Sequence, residues 1–191
     1  MIASQDRSGY FGASDNAFVI GNWKTKTWLN WWLQKIAIIN DHFDNVYTLA
    51  GTHFEHRILE SLGIPMELDK QYINEDLRLR VNLDGNTDDC IYECKTTKDD
   101  IEEFKLPKKY INQVQVQMFG SGIRKANIVV YQLTEDDYNN FFRPIEPKRR
   151  RVFPISYDEK WIQTVYLPRH LILRDCLVKG VLPNEALIQE R

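Results

Sequence analysis

Three charged residues near the middle of the chain have the types and spacing of a hydrolytic metal site. Asp84, Glu93 and Lys95 form the pattern D-x8-E-x-K. Carboxylate oxygens are ligands that Mg²⁺ prefers, and the backbone carbonyl of Cys94 can supply a third protein oxygen. A bound Mg²⁺ lowers the pKa of water and neutralises charge on a phosphodiester, while Lys95 stabilises or orients the nucleophile. The trio therefore predicts phosphodiester hydrolysis; an acidic turn followed by an exposed Glu–Lys pair is the alternative interpretation.

The sequence around the trio predicts a hairpin. Residues 77–83 alternate between apolar and polar side chains, which is typical of a strand. Residues 84–89, DGNTDD, predict a tight turn because Asp-Gly favours hairpin turns. Residues 90–96 are the predicted return strand, with Glu93 and Lys95 on one face.

A fourth charged side chain, that of Glu55, is expected to point inward. The apolar residues of 51–62 recur at helical spacing, and Glu55 falls inside the arc they define. An inward carboxylate is costly unless it meets a metal, a base or a hydrogen-bond donor. We therefore expect Glu55 to join the trio. His53 and His56 flank it without a second pair at ligand spacing, so a zinc site is not expected.

The remaining pattern predicts a mixed α/β domain with a central sheet. Apolar spacing favours helices at 23–43, which carries four tryptophans, and at 108–118, with a strand at 127–133. Ser156 and Glu159 form a capping box that predicts the start of a C-terminal helix, and Pro168 should interrupt that helix. No linker or repeat divides the chain, so residues 1–191 are expected to form one domain.

Composition indicates an ordinary globular protein and argues against a strongly basic nucleic-acid binder. The net charge is −2, and three cysteines without zinc-ligand spacing fit a reducing compartment. No signal-peptide or membrane-span pattern is present, so we expect a cytoplasmic protein. Any polyanion must then meet a local basic patch. The candidates are Lys24 and the run Lys148, Arg149, Arg150 and Arg151, for which a solvated loop is the alternative interpretation.

Five segments resemble the PD-(D/E)XK nucleases, and among them the YqaJ-type viral recombinases that include phage lambda exonuclease. They occur in family order and span most of the chain, which makes chance agreement improbable. The segments are RSGYFGAS (7–14), GTHFEHR (51–57), LDGNTDDCIYECK (83–95), YINQVQVQM (110–118) and FPISYDEKW (153–161).

The resemblance implies a restriction-endonuclease-like core, a central mixed sheet flanked by helices. It implies that Asp84 and Glu93 hold Mg²⁺, with Mn²⁺ as a substitute, that Lys95 serves the attacking water, and that Glu55 and Gln113 complete the site. This sequence departs from the family at two positions. Leu83 replaces the usual proline before the aspartate, and Asn82 replaces a small hydroxyl residue, which weakens any phosphate contact from that position.

The function that the resemblance implies is a 5′-to-3′ exonuclease that degrades one strand of duplex DNA for phage-type recombination. It places Arg7 and Ser14 where a terminal 5′-phosphate is captured. The implied partners are double-stranded DNA ends, a single-strand annealing protein and further copies of the chain in a ring-shaped oligomer such as a trimer. Two alternatives stay open on the chemistry alone: an endonuclease or nickase on the same core, and a non-catalytic DNA-end-binding protein.

Overall fold

A mixed sheet of six strands forms the centre of the structure, a computed structural model that describes residues 8–39 and 46–183. The strands follow the order β1-β3-β4-β5-β6, and β2 pairs with β3 off this path. The β1–β3 and β4–β5 pairs are parallel and the other pairs antiparallel. The strands are β1 (Phe11–Gly12), β2 (Glu67–Asn74), β3 (Leu79–Asn86), β4 (Ile91–Thr97), β5 (Lys125–Gln132) and β6 (Arg150–Ser156).

Helices cover both faces of the sheet, as expected for this fold class. They are α1 (Asn16–Val19), α2 (Lys26–Lys35), α3 (Val46–Glu60), α4 (Lys108–Ser121), α5 (Glu135–Asn139), α6 (Glu159–Trp161) and α7 (Leu167–Lys179). A π-helical segment, Ile162–Tyr166, joins α6 to α7. Within the described ranges, no helix has the length and apolarity needed to cross a membrane.

The helices α3 and α4 lie on opposite faces because alternate residues of β5 face them. Val129 and Tyr131 pack with α3, while Ile128 and Val130 pack with α4. Side chains of successive strand residues point to opposite faces, so this alternation separates the two helices by the thickness of the sheet. The four tryptophans of residues 23–32 are buried in a third cluster with α7, and Trp32 is fully buried.

The strand β3 has one edge that is shared by two partners. Leu79 pairs with β2 and with Phe11 of β1, whereas Gly85 pairs with β2 and with Tyr92 of β4. The strands β1 and β4 therefore lie on the same edge of β3, at its two ends. Among the described residues, 81–84 have no strand partner on that edge, and the sheet opens there.

The predicted helix at 23–43 and the predicted turn at 84–89 both differ in extent from the observed elements. The predicted helix 23–43 begins only at Lys26, because Thr25 caps it by accepting a hydrogen bond from the N–H of Trp28 at 3.1 Å. It ends at Lys35, and residues 40–43 lie outside the described residues. The predicted turn at 84–89 starts later, because β3 runs on to Asn86 and the chain reverses at 87–90.

The C-terminal helix is capped by a different residue from the one predicted. The carboxylate of Asp158, not the hydroxyl of Ser156, accepts the N–H of Trp161 at 2.8 Å, because Ser156 still belongs to β6. Pro168 interrupts the regular α-helical pattern as expected: it lies in the first turn of α7, directly after the π-helical segment. The strand β2 had no counterpart in the sequence prediction.

Candidate active site

A cleft of about 400 Å³ opens where β1 and β4 diverge along β3. All five candidate catalytic side chains predicted from the sequence line it: Glu55 from α3, Asp84 from β3, Glu93 and Lys95 from β4, and Gln113 from α4. The expected convergence of these groups is therefore present in the structure. Their roles in catalysis remain predictions.

Asp84 occupies the position where the β3–β4 ladder breaks. The pairing of Gly85 with Tyr92 would continue by placing Asp84 opposite Glu93, but the strands separate there. The Oδ2 atom of Asp84 accepts the backbone N–H of Cys94 at 2.8 Å. The Cys94 N–H thus donates to the Asp84 side chain instead of to a backbone carbonyl of β3. This hydrogen bond holds the half-buried Asp84 carboxylate in place at the cleft. The Cys94 carbonyl as a third metal ligand stays a prediction.

The Glu93 carboxylate is held by three donors and is 1% exposed. Its Oε1 atom accepts hydrogen bonds from Gln113 at 2.5 Å and from the Lys95 ammonium. Its Oε2 atom accepts a hydrogen bond from Gln117 at 2.5 Å. These three hydrogen bonds fix the orientation of the Glu93 carboxylate.

Lys95 lies between a carboxylate and an aromatic ring. Its Nζ atom contacts Glu93 and lies 5.4 Å from the centre of the Tyr110 ring. Burial opposes the charged form of Lys95, but the Glu93 and Asp84 carboxylates outweigh it and raise the pKa of the ammonium above its ordinary value. Without a bound cation, the two carboxylates therefore favour the charged ammonium form of Lys95.

The carboxylates of Asp84 and Glu55 repel one another and Glu93. Burial, reinforced by Glu93 and Glu55, raises the pKa of Asp84 well above its usual range. Burial and Glu93 likewise raise the pKa of Glu55. A divalent cation would remove both the repulsion and part of the desolvation cost, and the donors are hard oxygens. The donor set therefore fits Mg²⁺ or Mn²⁺.

Asp69 and His56, which the sequence analysis did not assign to the catalytic group, also line the cleft. Asp69 belongs to β2, has φ = 57° and lies 3.1 Å from His56 through its Oδ2 atom. One ligand atom each from Glu55, His56 and Asp69 lie within 4.8 Å of one another. The pairing of β2 with β3 skips Asp69 and Asp84, so Asp69 lies across from Asp84. No local signal marks β2 as part of the site.

Of the two predicted phosphate-binding residues, Ser14 lies within the described residues and lines the cleft. Ser14 is exposed and lines the cleft next to Asp15. The turn that carries Ser14 is fixed from below, because Asp15 accepts the N–H of Gly12 at 2.7 Å and pairs with the buried Lys35 at 2.6 Å. Arg7 lies outside the described residues. Arg80 of β3 also lines the cleft, two residues before Asn82 on the same face as Asp84.

The basic run 148–151 is not one continuous phosphate-binding surface. Arg149 is 8% exposed and pairs with the fully buried Asp137 at 2.5 Å, so its predicted DNA contact is inconsistent with its position. The Arg150 guanidinium donates to Ser61, and Arg151 donates to three carbonyls of the loop at 101–104. Lys148 and Lys24 are exposed, but neither they nor the three arginines line the cleft.

The fold and the carboxylate–lysine site define a restriction-endonuclease-like core of the PD-(D/E)XK kind. The chain belongs to the YqaJ-like viral recombinase domain family, which matches residues 4–124 and so more than half of the sequence. The family resemblance is thereby confirmed. A comparison with curated protein sequences finds no match.

Solved structures with related folds support the same architecture. An alkaline exonuclease from Laribacter hongkongensis aligns with a TM-score of 0.66 at 20% identity, covering 96% of this chain and 92% of that chain. Its complex with dAMP aligns with a TM-score of 0.67 at the same identity and coverage. A phage-related exonuclease from Haemophilus somnus 129PT has a TM-score of 0.60 at 15% identity, covering 90% of this chain and 96% of that chain. At these identities the likeness establishes the fold.

Proposed function

We propose that the chain is a Mg²⁺-dependent exonuclease that degrades one strand of duplex DNA from its 5′ end. The observation that carries the proposal is the convergence of Asp84, Glu93 and Lys95 in one cleft, with Glu55 and Gln113 beside them. Membership of the YqaJ-like family and the exonuclease names of its structural neighbours support the choice of substrate and reaction.

Each side chain has a distinct part in the proposed reaction. Asp84 and Glu93 would hold the cation, which would lower the pKa of a water molecule and neutralise charge on the phosphodiester. The Lys95 ammonium stabilises the negative charge that develops at phosphorus or orients the attacking water. Burial is the largest cause of the raised pKa of Glu55, and it suits this carboxylate to accept the proton that the attacking water loses. Gln113 keeps Glu93 oriented through its 2.5 Å hydrogen bond.

The proposed 5′-to-3′ direction of digestion depends on how the terminal phosphate of the duplex is bound. Arg7 and Ser14 would bind a terminal 5′-phosphate, which carries one more negative charge than an internal diester. Arg80 also lines the cleft and adds a positively charged side chain to it. Asp84 follows Arg80 by four positions along β3, about 13 Å between Cα atoms, so the Arg80 side chain can bridge part of the distance towards the cation.

The proposal is tested with linear, nicked and closed circular duplex, each with Mg²⁺, with Ca²⁺ and with a chelator. We expect digestion of linear duplex with Mg²⁺ only, and survival of closed circles. A label on each strand end in turn identifies the end from which nucleotides are released. Cleavage of closed circles would instead identify an endonuclease, and binding of DNA ends without cleavage under any metal would identify the non-catalytic alternative.

A second comparison tests the phosphate end of the cleft. Linear duplex with a 5′-phosphate should be digested much faster than duplex with a 5′-hydroxyl, and Arg7→Ala or Ser14→Ala should reduce that difference while leaving metal dependence intact. Equal rates on the two substrates with the unmodified protein would refute the phosphate pocket.

The proposal extends to assembly and partners. A ring-shaped homo-oligomer such as a trimer would enclose the duplex, and a single-strand annealing protein would receive the exposed strand. Exposed apolar side chains near the end of α7, Val178 and Val181, offer contact area for self-association. Sedimentation of the full chain with and without linear duplex measures the oligomeric state; a monomer under both conditions would contradict the ring.

A further inference from the structure

The two oxygens of the Glu93 carboxylate are unequally occupied. Each carboxylate oxygen can accept about two interactions. Oε1 already accepts two hydrogen bonds, from Gln113 and Lys95. Oε2 accepts one, from Gln117. Among the described groups, one acceptor position therefore remains on Oε2, while Oε1 can bind a cation only if Lys95 or Gln113 moves.

Gln117 holds this arrangement from a buried position between two strands. Its side chain is 1% exposed, and its Nε2 atom donates both to Glu93 Oε2 at 2.5 Å and to the backbone carbonyl of Asn82 at 2.9 Å. Asn82 lies on β3, two residues before Asp84, whereas Glu93 lies on β4. The amide of Gln117 therefore bridges the two strands at the place where they diverge.

The amide of Gln117 has only one favourable orientation. Its Oε1 atom is buried and accepts no hydrogen bond from the described residues. Rotation of the amide by 180° would place that oxygen against the Glu93 carboxylate and the Asn82 carbonyl, two acceptors that would repel it. The N–H groups are thus locked toward Glu93 and Asn82, and the Glu93 carboxylate is locked with them.

We propose that Gln117 is a positioning residue for the cation site: its hydrogen bonds to Glu93 and to the Asn82 carbonyl fix the orientation of the Glu93 carboxylate relative to the β3 strand that carries Asp84. This inference rests on the proposed assignment of Asp84 and Glu93 as cation ligands. Gln117 stands one helical turn after Gln113 on α4, so the two amides hold the carboxylate from its two oxygens. Gln117 does not line the cleft, so it acts through Glu93 and not by contact with substrate.

Direct measurement of cation binding tests this role. Gln117→Met keeps the side-chain volume and removes the donor, so calorimetry of Ca²⁺ binding to the full chain should show an affinity lower by on the order of tenfold, the usual effect of losing a group that orients a ligand. The Mg²⁺ concentration for half-maximal DNA digestion should rise by a similar factor. The KM for DNA should stay near that of the unmodified protein.

Gln115 provides a matched control on the same helix. It is 4% exposed and equally well bonded, donating to the Ser156 carbonyl at 2.8 Å and accepting the Asp158 N–H at 2.7 Å, but it does not touch Glu93. Gln115→Met should lower thermal stability without changing Ca²⁺ affinity. Gln117→Asn, which shortens the amide by one methylene, should weaken Ca²⁺ binding in the same direction and serves if the methionine variant does not fold.

The outcomes separate this inference from the proposed function. Unchanged Ca²⁺ affinity in a folded Gln117 variant, or an equal loss in the Gln115 variant, would overturn the positioning role while leaving the cation site in place. No Ca²⁺ or Mg²⁺ binding by the unmodified protein would instead refute the cation site itself.

Discussion

Truncation of Arg149 distinguishes a structural role of the basic run from a DNA-binding role. Arg149 is 8% exposed and its Nη1 atom lies 2.5 Å from Oδ2 of Asp137, which is fully buried. The same guanidinium pairs with Glu146 at 3.0 Å. Burial opposes the charged form of Asp137, but Arg149 and Thr134 outweigh it and lower the pKa of Asp137. Arg149→Ala therefore leaves a buried negative charge without its main counter-ion.

The expected loss in the free energy of unfolding is about 3–5 kcal/mol, the usual result of removing one partner of a buried ion pair. For a domain of this size each kcal/mol corresponds to about 2–4 °C in Tm, so the midpoint should fall by roughly 6–20 °C. Lys148→Ala is the control, because the Lys148 side chain is 82% exposed. That variant should stay within about 0.5 kcal/mol of the unmodified protein.

Urea unfolding followed by tryptophan fluorescence measures both values, and fluorescence anisotropy at several salt concentrations measures duplex binding. Adding Asp137→Asn to Arg149→Ala should recover part of the lost stability, since the unpaired carboxylate is then removed while the acceptor for Thr134 is kept. A stability loss below about 1 kcal/mol, together with a flatter salt dependence of DNA binding, would refute the structural role and restore Arg149 as a phosphate contact.

Asp84→Asn should abolish digestion. It should also raise the free energy of unfolding of the metal-free protein by about 0.5–2 kcal/mol, because it removes a carboxylate that Glu93 and Glu55 repel. A Tm of this variant below that of the unmodified protein, both measured with a chelator, would contradict the expected gain. Lys95→Met should lower kcat by about 10²–10³-fold with an intact fold, as for loss of a charge aimed at the transition state. Near-normal turnover would show that another group stabilises the negative charge that develops at phosphorus. Arg80→Gln should weaken duplex binding and reduce the slope of its salt dependence by about one. Arg78 contacts the same Tyr10 ring but does not line the cleft, so Arg78→Gln should have neither effect. Equal effects of the two changes would reject a special role for Arg80. Burial lowers the pKa of His170 to about 4, so as the pH falls this histidine is protonated in the unfolded chain before it is protonated in the folded one. About 3 kcal/mol of the free energy of unfolding should therefore be lost between pH 6.5 and pH 4. If urea unfolding of a His170→Gln variant kept the same pH profile, His170 would be excluded as the cause.

The sequence by itself was sufficient for the class of fold and for the five candidate residues that the structure brings together in one cleft. Period-two alternation before Asp84 and helical spacing around Glu55 are local signals, because they depend on which face of an element is buried. The pattern D-x8-E-x-K predicts chemistry from residue type alone, and it also lies in the segments that carry the family resemblance. These features are visible without any knowledge of how the elements pack.

Other features depend on contacts between residues far apart in the chain. Gln117 and Asp69 join the site only because α4 and β2 pack beside β3, and neither residue stands out from its neighbours in sequence. Arg149 looks like part of an exposed basic run, yet Asp137, twelve residues earlier, draws it into the interior. The separation of β3 from β4 at Asp84 interrupts a ladder that local propensity would continue. Tertiary packing decided these points because the energy of a buried hydrogen bond or ion pair depends on the partner that the fold supplies, which residue type and spacing do not specify.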